Sequence, residues 1–72
     1  MALLTLEAIG PNGEQLALTA AKKRDIPVGW DEEFRCATFD ADGIDQDELE
    51  TVIFEELAAI DPDWQSHLRV AE

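Results

Sequence analysis

The sequence predicts an α+β domain: a small antiparallel sheet of three to four strands with one amphipathic helix packed on it, in the order β-β-β-α-β. Three observations carry this. Two runs near the N-terminus alternate apolar and polar residues around Gly10-Pro11-Asn12-Gly13, the period of a strand with one buried face. A later stretch repeats apolar residues every three to four positions, the period of a helix. Hydrophobic residues make up 46 % of the chain, the share expected of a folded domain rather than a disordered one. At 72 residues the chain is read as one domain, 1–72, with a thin core.

In chain order, Leu4, Leu6 and Ala8 alternate with Thr5, Glu7 and Ile9 and predict the first strand. The Pro-Asn-Gly turn and the alternation of Leu16, Leu18 and Ala20 predict a hairpin partner. The competing reading of the same segment is a helix over Glu14–Arg24, because Leu, Ala, Gln and Lys all favour helix. Asp25 to Glu33 contains Pro27 and Gly29 and reads as a loop. Glu33 to Phe39 predicts a third strand with Phe34, Cys36 and Thr38 on one face and Arg35, Ala37 and Phe39 on the other. An aromatic on both faces suggests a central strand.

Asp40-Ala41-Asp42-Gly43-Ile44 reads as a turn. Asp45 is then an N-cap, and Glu48 three residues later gives the pattern of a capping box. Leu49, Val52, Ile53, Leu57 and Ile60 form the apolar stripe of the helix, which Asp61-Pro62 ends. Asp63 and Trp64 suggest a turn or short helix, and Leu68 and Val70 a last short strand.

The charge balance is the most informative feature. There are 17 acidic residues against 5 basic ones, a formal net charge of −12. Such a field repels nucleic acid and anionic membrane and attracts basic proteins and cations. The expected partner is a basic protein surface, with no direct nucleic acid and no membrane contact. The N-terminal apolar run is short and lacks a basic flank, so neither a signal peptide nor a membrane span is expected, and a cytoplasmic location is.

From Asp31 to Asp63 thirteen acids accompany one base, Arg35. Surface helices commonly pair an acid with a base four residues on, which is worth roughly 0.2–0.5 kcal/mol; this one has no Lys or Arg. Asp47, Glu48 and Glu50 suit the positive end of a helix dipole, whereas Glu55 and Glu56 lie toward the end where it disfavours them. Glu56 projects between Val52 and Ile60, and is expected as a boundary residue beside the core. Trp30 and Trp64 both adjoin acids; Trp can anchor an interface and can equally cap a thin core.

Other chemistries are weaker. Asp40, Asp42, Gly43 and Asp45 bring to mind a calcium loop. With Asp42-Gly43 at its fifth and sixth positions, however, Thr38 falls on the first, Ile44 on the seventh instead of the eighth, and Leu49 on the twelfth where a Glu is required. An acidic turn capping a helix accounts for the segment better. Cys36 reads as a small buried hydrophobe, and no feature joins it to His67 as a nucleophile and base. Neither zinc-ligand spacing nor a phosphate-binding loop is present. No cofactor, metal site or catalytic residue is expected.

The expected function is therefore non-enzymatic: an acidic binding module that blocks or modulates a basic protein, including nucleic-acid-binding ones. Its expected binding residues are Asp42, Asp45, Asp47, Glu48, Glu50, Glu55, Glu56 and Trp64. In composition it resembles small acidic phage or bacterial proteins that imitate nucleic acid. The alternatives are a calcium-responsive domain using Asp40, Asp42 and Asp45, and a structural or assembly subunit from a salt-adapted host.

Overall fold

The computed structural model describes residues 2–71. The chain runs β1 (Ala2–Ala8), α1 (Gly13–Arg24), β2 (Val28–Asp31), β3 (Cys36–Ala41), α2 (Gln46–Ile60), a short 3₁₀ turn (Trp64–Ser66) and β4 (Leu68–Val70). The strands form one antiparallel sheet in the order β2-β3-β1-β4. This β-α-β-β-α-β connectivity, with β3 inserted between β1 and β2, is the split-βαβ or ferredoxin-like topology. The α+β class and the four-stranded antiparallel sheet agree with the sequence reading, whereas the number of helices does not.

The correction lies in residues 13–24, which form α1 rather than a second hairpin strand. The alternation of Leu16, Leu18 and Ala20 coincides with a helical stripe, since Leu16, Ala17, Ala20 and Ala21 are all buried. Small alanines allow the helix to lie close to the sheet, and Lys22, Lys23 and Arg24 complement the negative end of its dipole. Asp25 ends it in the left-handed conformation, φ 56°.

A second correction concerns Val28–Asp31, read as loop and found as the edge strand β2. Pro27 and Gly29 are tolerated there because an edge strand leaves one ladder side unpaired. The Pro27 carbonyl still accepts a bond from Asp40 N at 3.0 Å. The third strand is central, as expected, but for a different reason. It begins at Cys36, and Phe34 lies outside it in the preceding turn, 65 % exposed. Asp40 and Ala41, expected in a turn, are its last two residues.

Both helices cover one sheet face. Ala2, Leu4, Leu6, Ala8, Ala37 and Phe39 point into the core, where Leu49, Ile53 and Leu57 of α2 meet them. Leu3, Thr5, Glu7, Thr38, Cys36 and Asp40 alternate with these residues and occupy the other, open face. Cys36 is thus half-buried on the open face, its thiol 3.4 Å from the Phe34 carbonyl, and is not a core hydrophobe.

β4 is short and accompanies only Leu6–Ala8 of β1. Beyond it the ladder groups of Leu3 are satisfied by one side chain. Leu3 N donates to Gln46 Oε1 at 3.1 Å, and Gln46 Nε2 donates to Leu3 O at 2.5 Å. The amide of Gln46 thereby stands in for a strand neighbour and fixes the start of α2 against β1.

Candidate functional site: an uncompensated acidic ridge

Asp40 is the last outward-facing residue of β3 and is exposed. Asp42 and Asp45 follow in the connection, with Gly43 between them at φ +84°, and Asp47 and Glu48 open α2. All five are exposed. They lie within nine consecutive positions that begin at the end of the sheet where β1 starts. Asp45 takes the N-cap position with extended backbone, but its side chain makes no capping bond. The capping box expected of Asp45 and Glu48 is therefore not formed, and the Asp45 carboxylate faces solvent.

Further along α2 the acids divide. At about 3.6 residues per turn, Asp47, Glu50 and Phe54 fall on the flank toward β4, and Glu48, Val52, Glu55 and Glu56 on the flank toward α1. Contacts confirm both directions: Phe54 stacks on Trp64 at 5.3 Å between ring centroids, and Arg24 Nε donates to Glu56 Oε2 at 2.7 Å. Glu50 is half-buried and accepts from Gln46 Nε2 at 3.3 Å, while Glu55 is exposed.

Glu56 departs from the rest. Its side chain is only 15 % exposed, and the carboxylate is neutralised by Arg24 across the two helices. It belongs to the α1–α2 packing rather than to the ridge. The absence of bases within α2 concealed this pair, because its cation comes from another helix. Trp64 also belongs elsewhere: at 8 % exposure it is part of the core, and only its stacking partner Phe54 is half-buried at the surface.

Three of the five basic residues are engaged with other partners, and the other two, Lys22 and Lys23, stand in the last turn of α1. Arg24 is held by Glu56, Arg69 by Glu7 on the open sheet face, and Arg35 Nη2 donates to the Gly10 carbonyl at 3.4 Å. Among the described residues the third close ionic contact is His67 Nε2 to Asp61 Oδ2 at 3.7 Å. Asp40, Asp42, Asp45, Asp47, Glu48, Glu50 and Glu55 have no cation within 4 Å among the described residues.

The other sequence candidates are not assembled. Among the described residues no three His, Cys, Asp or Glu side chains converge to hold a metal ion, so Asp40, Asp42 and Asp45 do not surround a common point. His67 packs against Gly10 and Asp61, whereas Cys36 lies on the open face beside the Phe34 carbonyl. No helix among the described residues is long and apolar enough to cross a membrane.

The sequence reading missed one feature, a largely apolar cleft of about 310 Å³ between α2 and β4, lined by Phe54, Trp64, Gln65, Leu68, Arg69 and Val70. Its signal was Phe54, an aromatic standing outside the Leu49–Ile53–Leu57 stripe. Compared with protein-family models, curated proteins and solved structures, the chain matches none.

Proposed function

We propose that the chain is a non-enzymatic acidic binding module that blocks or modulates a basic protein surface, above all a cleft built to hold nucleic-acid phosphates. One observation carries this reading. From Asp40 to Glu55 seven carboxylates have no cation partner among the described residues, although the same chain pairs Arg24 and Arg69 with Glu56 and Glu7. Within-fold stability is poorly served by such an arrangement, since like charges one turn apart repel by a few tenths of a kcal/mol. A partner that supplies the missing cations removes that repulsion. Asp47 and Glu50, three residues apart on one flank of α2, stand about 5–6 Å apart, a spacing of negative charge that a phosphate-binding cleft reads without regard to sequence.

The test is affinity capture from native lysate with the ridge intact and with it neutralised (Asp42→Asn, Asp45→Asn, Asp47→Asn, Glu48→Gln). The intact chain should retain a basic protein that is released by salt and displaced by DNA or RNA. Retention of the same proteins by both forms would reject the reading and leave the acidity as a solvated coat.

A further inference from the structure

We propose that two copies of the chain associate through β2, edge to edge and antiparallel, joining their four-stranded sheets into one continuous sheet across a two-fold axis at Gly29. The inference is independent of the acidic-module reading and rests on the backbone of one strand.

β2 is an edge strand, paired only with β3. Asp40 N donates to the Pro27 carbonyl, and the register then sets Gly29 opposite Thr38 and Asp31 opposite Cys36. Ladder bonds of an antiparallel pair fall on alternate residues, so Gly29 and Asp31 bond toward β3. The N–H and C=O groups of Val28 and Trp30 therefore point to the free side. No turn or loop backbone among the described residues bonds to them, and both residues are only half-buried.

These groups are complementary to themselves. When β2 of a second copy lies antiparallel with Gly29 opposite Gly29, Val28 of each copy faces Trp30 of the other as a hydrogen-bonded pair. Each such pair exchanges two bonds, so every free group of both edges is satisfied. Between them the glycines form the closer, non-hydrogen-bonded pair, with Cα atoms about 4.5 Å apart. Nothing in the chain lies within 4 Å of a Cβ built at Gly29, so the approach is unobstructed. Val28 and Trp30 stand opposite the buried Phe39 and Ala37 and share the core face. Across the axis each indole then meets the valine of the other copy, an aromatic–β-branched pair of the kind that stabilises sheets.

The other edge of the sheet lacks this fit. Ala71 N donates to Thr5 O and Ile9 N to His67 O, so the same alternation turns Leu68 and Val70 outward on β4. The residue between them is Arg69, whose side chain is 67 % exposed. Two-fold pairing of β4 would set two arginines directly opposite, where like charges are destabilising.

Charges at the two ends of β2 fix the orientation. Lys22 and Lys23 are exposed in the last turn of α1. The link to β2 folds back on that turn, with Asp25 N donating to Lys22 O at 3.2 Å and Ile26 N to Ala21 O at 2.9 Å. The lysines therefore stand at the N-terminal end of β2, together with Asp25 and Asp40. Asp31, Glu32 and Glu33 are exposed at the other end. Antiparallel pairing sets these three acids of each copy against the end that carries the lysines, whereas parallel pairing would set them against each other. At 0.15 M salt the Debye length is about 8 Å, which screens the more distant charge of two copies that each carry −12. An interface this short gives a weak dimer that forms and dissolves with concentration.

The test is sedimentation equilibrium and ¹⁵N-resolved amide exchange of the whole chain at 0.15 M sodium chloride, from roughly 0.02 to 2 mM, the range of weak association. The mass should rise from one chain toward two. The Val28 and Trp30 amides, which exchange freely in the dilute protein, should become protected as it rises. Val28→Pro removes an N–H that faces away from β3, a change that an edge strand tolerates. It deletes two of the bonds between copies and should weaken the dimer about tenfold or more. Gly29→Asp, at an exposed position with open space around it, should also weaken the dimer by setting like charges opposite, and it decides the matter alone if Val28→Pro does not fold. A mass of one chain at every concentration would overturn the proposal. So would a dimer whose protection falls on β4 or on Asp40–Glu48, or one that survives Gly29→Asp undiminished.

Discussion

Replacing Gly13 by alanine tests how α1 enters the fold. Gly13 is buried and is the first residue of the helix. A Cβ added there would lie 2.7 Å from Ala8 Cβ, 2.7 Å from the His67 carbonyl oxygen and 3.0 Å from Ala8 Cα. None of these atoms can swing aside, since two belong to the backbone and the third is fixed to it. In an open helix the change from glycine gains about 0.8–1.0 kcal/mol, less at a first-turn position. Overpacking costs about 1–3 kcal/mol, and two contacts this short, both on rigid atoms, place it in the upper part of that range. The net expectation is destabilisation by about 1–2 kcal/mol, a fall in Tm of roughly 5–15 °C for a domain of this size. Circular dichroism melting of both proteins reads it directly. Gly29→Ala is the internal control, because nothing lies within 4 Å of its added Cβ; its Tm should hold or rise slightly. A Gly13→Ala protein as stable as wild type would refute the close approach of α1 to the end of β1 and to the turn at His67 that leads into β4.

Three further outcomes follow from the packing and charge. Ile53 is fully buried on α2, so Ile53→Ala should cost on the order of 2–5 kcal/mol, a large part of the roughly 4–11 kcal/mol expected of a domain this small; an unchanged urea midpoint would place another face of α2 on the sheet. Arg24→Ala strands the half-buried Glu56 carboxylate and should cost about 1 kcal/mol, because the arginine itself is 45 % exposed; adding Glu56→Gln should recover part of that, and strict additivity of the two changes would show that the pair does not interact. Thermal stability should rise from low salt to about 1 M sodium chloride, where the Debye length falls to about 3 Å and the ridge is screened. Millimolar calcium should add nothing beyond ionic strength, and a calcium-specific rise would establish a site among the acids.

The legible part of the fold was the part set by one clear period. Leu49, Ile53 and Leu57 gave α2 and its buried face, and Asp45 and Asp61-Pro62, which flank the helix found, gave its ends. Residues 13–24 satisfied two periods at once: leucine at 16 and 18 reads as a strand, while alanine at 17, 20 and 21 completes a helical face. Neither pattern contains the tertiary fact that decides between them, the fit of Gly13 against Ala8 and His67. β2 was hidden by Pro27 and Gly29, which suit an edge strand as well as a loop. At the ridge, exposure of Asp42, Asp45, Asp47, Glu48 and Glu55 was readable from a helix with an acidic outer face. The Arg24–Glu56 pair and the burial of Trp64 were not, because each depends on a residue distant in sequence or on another element.

The central claim is that the carboxylates between Asp40 and Glu55 without a cation partner among the described residues are a binding surface rather than a solvated coat. Its most direct measurement is the salt dependence of affinity for the captured basic partner, compared between wild type and the Asp42→Asn, Asp45→Asn, Asp47→Asn, Glu48→Gln variant. If the ridge binds, wild-type affinity falls steeply as salt rises from about 0.05 to 0.5 M, and the variant binds more weakly with a visibly shallower slope. Equal affinities and parallel slopes for the two proteins, both still folded, would contradict the claim.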